Sequence, residues 1–339
     1  MPQITDPRLF ALSECQALAA TVGQSAGLAL SPLEERRFEG GEFKLRPLAS
    51  VRGCTAFVLQ ALAASEEVPT AERLVRLLFL LAGLKDAGAV QRIAVVPYLA
   101  YARKERRTQL RDPVNTRYVA ELLETAGIDR LIALDVHNPA ALDNSFRVPV
   151  DHLSALPLMV DHFARRIGAA PLTVVSPDVG GIKRAQIFRE RLQLRLNREV
   201  EIAFIEKRRA QDVVSSGALV GDVAARQVIV IDDLCASGGT LIRAGELCRR
   251  TGAAAVHATV THVPIAAGLA ALLAAPSLTS VVVTDSVGLP HATPAVPPAG
   301  DAKLVTLAVG PLFGTAIRRM TSGKPVAPLL ERWPLAPED

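Results

Sequence analysis

Seven short runs of β-branched and other apolar residues punctuate the chain: AFVLQAL near 56, RIAVVPY near 92, RLIALDV near 130, LTVVSPD near 172, QVIVIDD near 227, AAVHATVTH near 254 and TSVVVTD near 279. Between them lie stretches whose apolar residues return every three or four positions, the period of a helix with one buried face. The spacing predicts helices over 70–87, with Thr70 as a candidate N-cap, and over 113–126, 238–251 and 311–321. Near-continuous apolar strands alternating with amphipathic helices predict parallel sheets covered by helices on both faces, an α/β fold. The Pro-rich piece 288–301 and the segment after Gly323 read as loops.

A length of 339 residues allows two domains of ordinary size. No apolar run is long enough to span a bilayer, so no membrane association is expected. The start, MPQITDPRLFALSECQ, lacks a basic segment followed by an apolar block, and the expected location is cytoplasmic. Cys15, Cys54, Cys235 and Cys248 are scattered without paired spacing, which fits reduced thiols. The net charge of +4 is modest, but basic residues concentrate in RKERR (103–107) and EKRRAQ (206–211), which points to phosphate. Aromatic residues make up 4% of the chain, too few for a platform that stacks single-stranded bases, and no nucleic-acid partner is expected.

Two places in the first half echo two in the second. FVLQALAAS (57–65) aligns with IVIDDLCAS (229–237), and VVPYLAYARK (95–104) with VVSPDVGGIKR (174–184). A duplication is the expectation, with Gln60 and Ala61 standing where the second copy has Asp232 and Asp233.

The stretch VIVIDDLCASGGTL (228–241) carries the sharpest chemistry. A buried strand ends at the carboxyl edge of a parallel sheet, where ligands bind, and a helix begins near Gly238. Amide groups of the loop and first turn lack partners there. Gly238 and Gly239 let a phosphate approach them, while Ser237 and Thr240 add hydroxyls. Two adjacent acids cannot help to bind a phosphate, so Asp232 and Asp233 face vicinal hydroxyls or a divalent cation held by them. A sugar phosphate satisfies both halves of the loop.

A strand, two acids and a small-residue turn resemble the signature of the phosphoribosyltransferase-like superfamily. RFEGGE (37–42), VRG (51–53), VVPYLAYARKERR (95–107), DPVNTRYVAELLETAGIDRLIALDVHN (112–138), VSPDVGG (175–181), IEKRR (205–209), GDV (221–223), DDLCASGGT, VTH (260–262) and AIRRM (316–320) follow in the order seen in ribose-phosphate diphosphokinases, the phosphoribosyl diphosphate synthases. The resemblance covers roughly residues 8 to 321. It implies two phosphoribosyltransferase-like domains, 1–150 and 151–325, with 326–339 as a tail. The implied reaction transfers the diphosphoryl group of ATP to ribose 5-phosphate. By resemblance the sugar phosphate lies on Asp232, Asp233, Cys235, Ala236, Ser237, Gly238, Gly239 and Thr240. Phe38, Gly40, Glu42, Arg103, Lys104 and Arg106 fall in the ATP-side motifs. His137 and Asp178 match positions near the Mg²⁺ of MgATP, and Lys207, Arg209 and His137 are the implied catalytic residues. A homo-oligomer is implied as well, because ATP-contacting pieces in this family often come from a neighbouring subunit.

Some positions depart from the family pattern. Ala236 stands where an acid is usual, Ser237 where Thr is common and Gly40 where Asp or Asn is common. ALAASEEVPTAERLVRLLF (61–79) lacks the Asn-Asp-Asn-Leu run of the phosphate-activated class, so little control by phosphate or ADP is expected. A catalytically silent partner subunit and a transferase that consumes phosphoribosyl diphosphate are the alternatives. RFEGGE, YARKERR and DVHN speak against the second, because a single-domain transferase needs none of them.

Overall fold

The structure, a computed structural model, describes residues 4–206, 209–210, 213–214, 217–288, 303–327 and 329. The chain divides into two compact units. The first runs to Ser154 and also takes Ser286–Gly288 and the described residues from Ala308 on. Ala155–Asp285 and the strand after the Pro-rich piece form the second.

The first unit contains β1 (Pro7–Ala11), α1 (Gln16–Ala26), β2 (Leu33–Arg37), β3 (Phe43–Pro47), β4 (Thr55–Leu59), α2 (Thr70–Asp86), β5 (Gln91–Val96), α3 (Asn115–Thr125), β6 (Arg130–Leu134), α4 (Pro139–Ser145) and β7 (Val150–Leu153). Strands β1-β4-β5-β6-β7 lie side by side in that order, all parallel. All five residues of β4, TAFVL, are buried, as the unbroken apolar run requires. Helix α2 presents Leu74, Leu77, Leu81 and Leu84 on one face, in a core shared with Val58, Ala94 and Val96. Burial of each such leucine stabilises the fold by roughly 1.5–3 kcal/mol. Thr70 is the first helical residue rather than the cap: Pro69 holds the extended cap position and no side chain caps the helix.

The second unit contains α5 (Leu156–Arg166), β8 (Leu172–Ser176), α6 (Ile182–Leu196), β9 (Glu201–Glu206), β10 (Arg209–Ala210), β11 (Val213–Val214), β12 (Ala218–Val220), β13 (Gln227–Leu234), α7 (Gly239–Arg250), β14 (Ala255–His262), α8 (Ala266–Ala274), β15 (Ser280–Thr284) and β16 (Leu304–Leu307). Its sheet runs β12-β9-β8-β13-β14-β15-β16, with β12 antiparallel to β9 and the other pairs parallel. The last helix, α9 (Gly310–Thr321), packs along α1 in the first unit, although the sequence boundary at 325 groups it with the second half. A Cβ on Gly314 would lie 2.4 Å from that of Ser25, so this packing needs a residue without a side chain.

The two sheets differ in one respect that matters for function. From β8 the chain passes to β9 on one side, and from β13 to β14, β15 and β16 on the other, so strand order reverses between β8 and β13. The sheet of the first unit grows in one direction and has no such reversal. The echoed segments also occur in opposite chain order, since 57–65 precedes 95–104 but 229–237 follows 174–184. The two echoed pairs are therefore not collinear, and they do not by themselves match equivalent strands of the two units.

Candidate active site

At the reversal two parallel strands part. The ladder between β13 and β8 stops at Val230, opposite Val175, whereas the ladder with β14 continues to Leu234, opposite His262. Asp232 and Asp233 thus extend past the last rung shared with β8, into the crevice where open α/β sheets receive ligands. Asp233 is buried, and its amide donates to Asp232 Oδ1 at 2.9 Å. Arg184, on the first turn of α6, donates through Nη1 to Oδ1 of Asp233 at 3.0 Å and of Asp232 at 3.4 Å. Burial, and then the Asp233 carboxyl beside it, push Asp232 well above the ordinary carboxylate range, while the guanidinium pulls it back. A carboxyl pair that holds one proton between two acids is rich in acceptors and keeps negative charge, which suits hydroxyls and repels phosphate.

The loop beyond is built from the backbone. Cys235 is buried and its amide donates to the His262 carbonyl at 2.8 Å. Burial raises its thiol to about 11, opposed by the Gly238 amide directed at it. Gly238 takes φ 82° and forms the N-cap of α7, with no side chain capping the helix. The first amides of α7 are therefore left for a ligand. Ser237 is exposed, while Ala236, Gly239 and Thr240 are half-buried. Arg243 folds back one turn: its Nη1 lies 3.0 Å from where a Cβ on Gly239 would stand. From below, a Cβ on Gly268 would lie 2.2 Å from the Ala236 carbonyl oxygen, so α8 supports the loop by direct backbone contact.

Asp178 follows β8 and caps the short turn Val179–Gly181, accepting from the Gly181 amide at 3.1 Å. Lys207 lies outside the described residues, and Arg209 is placed only by its backbone, which opens β10 of the small β10–β11 ribbon.

The remaining sequence-predicted residues belong to the first unit. Phe38, Gly40 and Glu42 sit at the tip of the β2–β3 hairpin, where the Phe38 amide donates to the Glu42 carbonyl at 2.7 Å. Gly40 takes φ 88° and Gly41 φ 90°, so this turn uses two left-handed residues in a row and favours glycine where the family commonly has an acid. Arg36 covers the Phe38 ring at 5.0 Å. Arg103 and Arg106 are exposed on the loop between β5 and α3. Lys104 pairs with Asp112 and donates to Thr108 Oγ1 at 3.0 Å. Asp112 also accepts from the amides of Thr108 and Gln109, both at 2.9 Å, and so organises the basic loop. His137 is exposed after the end of β6, in the turn that enters α4.

Residues 7–127 match the sequence model for the N-terminal domain of ribose phosphate pyrophosphokinase, and residues 157–279 match that of the phosphoribosyl transferase domain. Ribose-phosphate pyrophosphokinase 1 of Streptococcus pneumoniae serotype 4 is 34% identical over 332 residues, covering 96% of this chain and 98% of that protein. The chain belongs to the ribose-phosphate pyrophosphokinase family. The Bacillus caldolyticus ribose-phosphate pyrophosphokinase is 35% identical over 325 residues, again covering 96% and 98% of the two chains. The crystal structure of phosphoribosylpyrophosphate synthetase from Mycobacterium smegmatis superposes with a TM-score of 0.82 at 30% identity, covering 94% of this chain and all of that one.

For the Mg²⁺ implied by membership of the pyrophosphokinase family, the donor chemistry fits. Asp178 carries a carboxylate, the ligand type a hard cation prefers, with one oxygen accepting from the Gly181 amide. Among the described residues no group of three or more His, Cys, Asp and Glu converges as a cage. A cation that keeps its waters and takes ligands from a nucleotide's phosphates needs none. Sequence reasoning missed Arg184 and Arg243 as site residues. Arg184 follows Asp178 by six residues and meets Asp233 only through the fold, whereas Arg243, four residues after Gly239 on a helix, was within reach of spacing alone. Among the described residues no helix is long and apolar enough to cross a membrane.

Proposed function

We propose that this member of the family is a Mg²⁺-dependent ribose-phosphate diphosphokinase, converting ATP and ribose 5-phosphate into phosphoribosyl diphosphate and AMP. The observation that carries the reading is the acid pair Asp232–Asp233, followed at once by the Gly238 turn and the open N-terminus of α7, at the point where strand order reverses.

In this reading the 5-phosphate sits on the amides of Ala236, Ser237, Gly239 and Thr240, with the hydroxyls of Ser237 and Thr240 and the guanidinium of Arg243 around it. Asp232 and Asp233 accept from the ribose hydroxyls and so orient the sugar with its 1-hydroxyl toward the nucleotide. The 1-oxygen attacks the β-phosphorus of ATP and loses its proton; the bond from that phosphorus to the oxygen bridging the α- and β-phosphates breaks, and AMP leaves with the oxygen. Such a transfer needs positioning and charge stabilisation more than a covalent group. Lys207 and Arg209 neutralise charge on the bridging and leaving oxygens, while Arg103, Lys104 and Arg106 hold the nucleotide and Phe38, Gly40 and Glu42 border its base. A cation held by Asp178 would neutralise phosphate charge, and His137 would act on the nucleotide's phosphates. A homo-oligomer working in the cytoplasm fits this assignment.

The test is AMP release from MgATP with and without ribose 5-phosphate. Release that depends on the sugar phosphate is expected. Absence of AMP would favour a silent partner subunit, and release indifferent to the sugar would overturn the acceptor assignment.

A further inference from the structure

The turn carrying His137 is held on both sides. The Val136 amide donates to His152 Nε2 at 2.9 Å. Asn138 Oδ1 accepts from the Ala141 amide at 3.3 Å and caps α4, which fixes the amide group so that its Nδ2 donates to Glu105 Oε1 at 3.0 Å. Glu105 stands inside the basic run RKERR, on a different loop from His137.

The second oxygen of Glu105 is unusual. Oε2 is shielded from solvent and has no hydrogen-bond partner among the described residues. Burying an acceptor without a donor is costly, and more so when it is charged. Cations next to it in the chain do not relieve it: Lys104 is turned to Asp112, and Arg107 Nε donates to the Asp112 carbonyl at 3.2 Å. A loop residue free to choose would turn this carboxylate to water. It is held inward against its own solvation, and the bond it makes there is to the residue beside His137.

We propose that Glu105 is a positioning residue, joining the basic loop to the His137 turn through Asn138 so that both present themselves to the nucleotide as one unit. This inference rests on the reading that Arg103, Lys104, Arg106 and His137 face ATP. It assigns a role to two residues that carry none in the reaction as set out above.

The experiment is a double-mutant cycle, Glu105→Ala, Asn138→Ala and the pair, read by KM for ATP, KM for ribose 5-phosphate, kcat, Tm and direct titration with a non-hydrolysable ATP analogue and Mg²⁺. Each single variant should weaken nucleotide binding about tenfold, within the range of coupling between hydrogen-bonded neighbours, and the pair should be no worse than the worse single variant. KM for ribose 5-phosphate should stay unchanged. Glu105→Gln, which keeps the acceptor for Asn138, should recover most of the nucleotide affinity. Additive losses, or a fall in Tm with both KM values moving together, would overturn the inference. If the parent protein binds no nucleotide, the functional reading falls with it; if the parent binds and the variants bind equally well, only this inference falls.

Discussion

Arg184 Nη1 lies 3.0 Å from Asp233 Oδ1, so a guanidinium stands over an acid pair assigned to receive sugar hydroxyls. Both groups are largely withdrawn from water, with 20% and 7% of their side chains exposed. Removing one partner of such a pair leaves the other charge uncompensated.

Arg184→Met should therefore raise KM for ribose 5-phosphate by about tenfold or more at neutral pH, the effect of ~1.4 kcal/mol of lost balance. Steady-state kinetics with the sugar phosphate varied would check this. An unchanged KM would confine Arg184 to a role in folding.

Asp232 supplies a pH dependence of definite sign. Its ordinary value is 3.8 and its folded value is raised to about 7, chiefly by burial. Across that window the folded chain holds a proton that the unfolded chain has released, so the stability contributed here declines as pH rises and levels off above it. Asp232→Asn removes the titration, and the variant should gain stability relative to the parent through the window and then plateau. Urea unfolding at a series of pH values tests this; a difference independent of pH would show that the carboxyl titrates normally.

Two glycines make a matched pair of predictions. Gly268→Ala places a Cβ 2.2 Å from the Ala236 carbonyl and should cost about 1–3 kcal/mol, together with a raised KM for ribose 5-phosphate. Gly83→Ala, in the interior of α2 with nothing within 4 Å, should instead stabilise by roughly 0.5–1 kcal/mol. Thermal melts of both variants decide it.

The four cysteines are buried, and burial raises Cys15 and Cys235 to about 11 and Cys248 to about 12. Because the thiolate is the reactive form, a disulfide reagent at mildly alkaline pH should find almost no fast thiol in the native protein. All four should react in denaturant. A rapid native thiol would show that the Cys235 loop opens.

Asp112 holds the basic loop through Lys104, Thr108 and Gln109, and these contacts keep its carboxyl well below the ordinary range. The contribution is present at neutral pH and is lost as pH falls through that depressed value. Asp112→Asn should let trypsin cut the loop several-fold faster at neutral pH, as expected when a local tie is removed. Equal cleavage would place the order of the loop elsewhere.

Much of this architecture was legible in the pattern of the chain. Strand β13 announces itself by four β-branched residues running into two acids and a glycine pair, and α2 by leucines at helical spacing. Other elements carry no such mark. LEERR and FKLRP form the β2–β3 hairpin, yet two strands with no fully buried residue need no apolar alternation. The contact of Arg184 with Asp233 and the reversal between β8 and β13 depend on which strands pair, a property of distant segments rather than of any window. Gln60, at the end of a similar buried strand, lies in a sheet without that reversal, and its side-chain amide donates to Glu14 Oε2 at 3.5 Å.

Ala236, the departure from the family pattern, can be understood through Gly268. The curve of the loop is imposed by a neighbouring helix that presses on a carbonyl, and the side chain at 236 takes no part in that contact. Shape and side-chain identity are thereby uncoupled: the curve of the cradle is held by a glycine outside the motif, and a change of side chain at 236 leaves that contact in place.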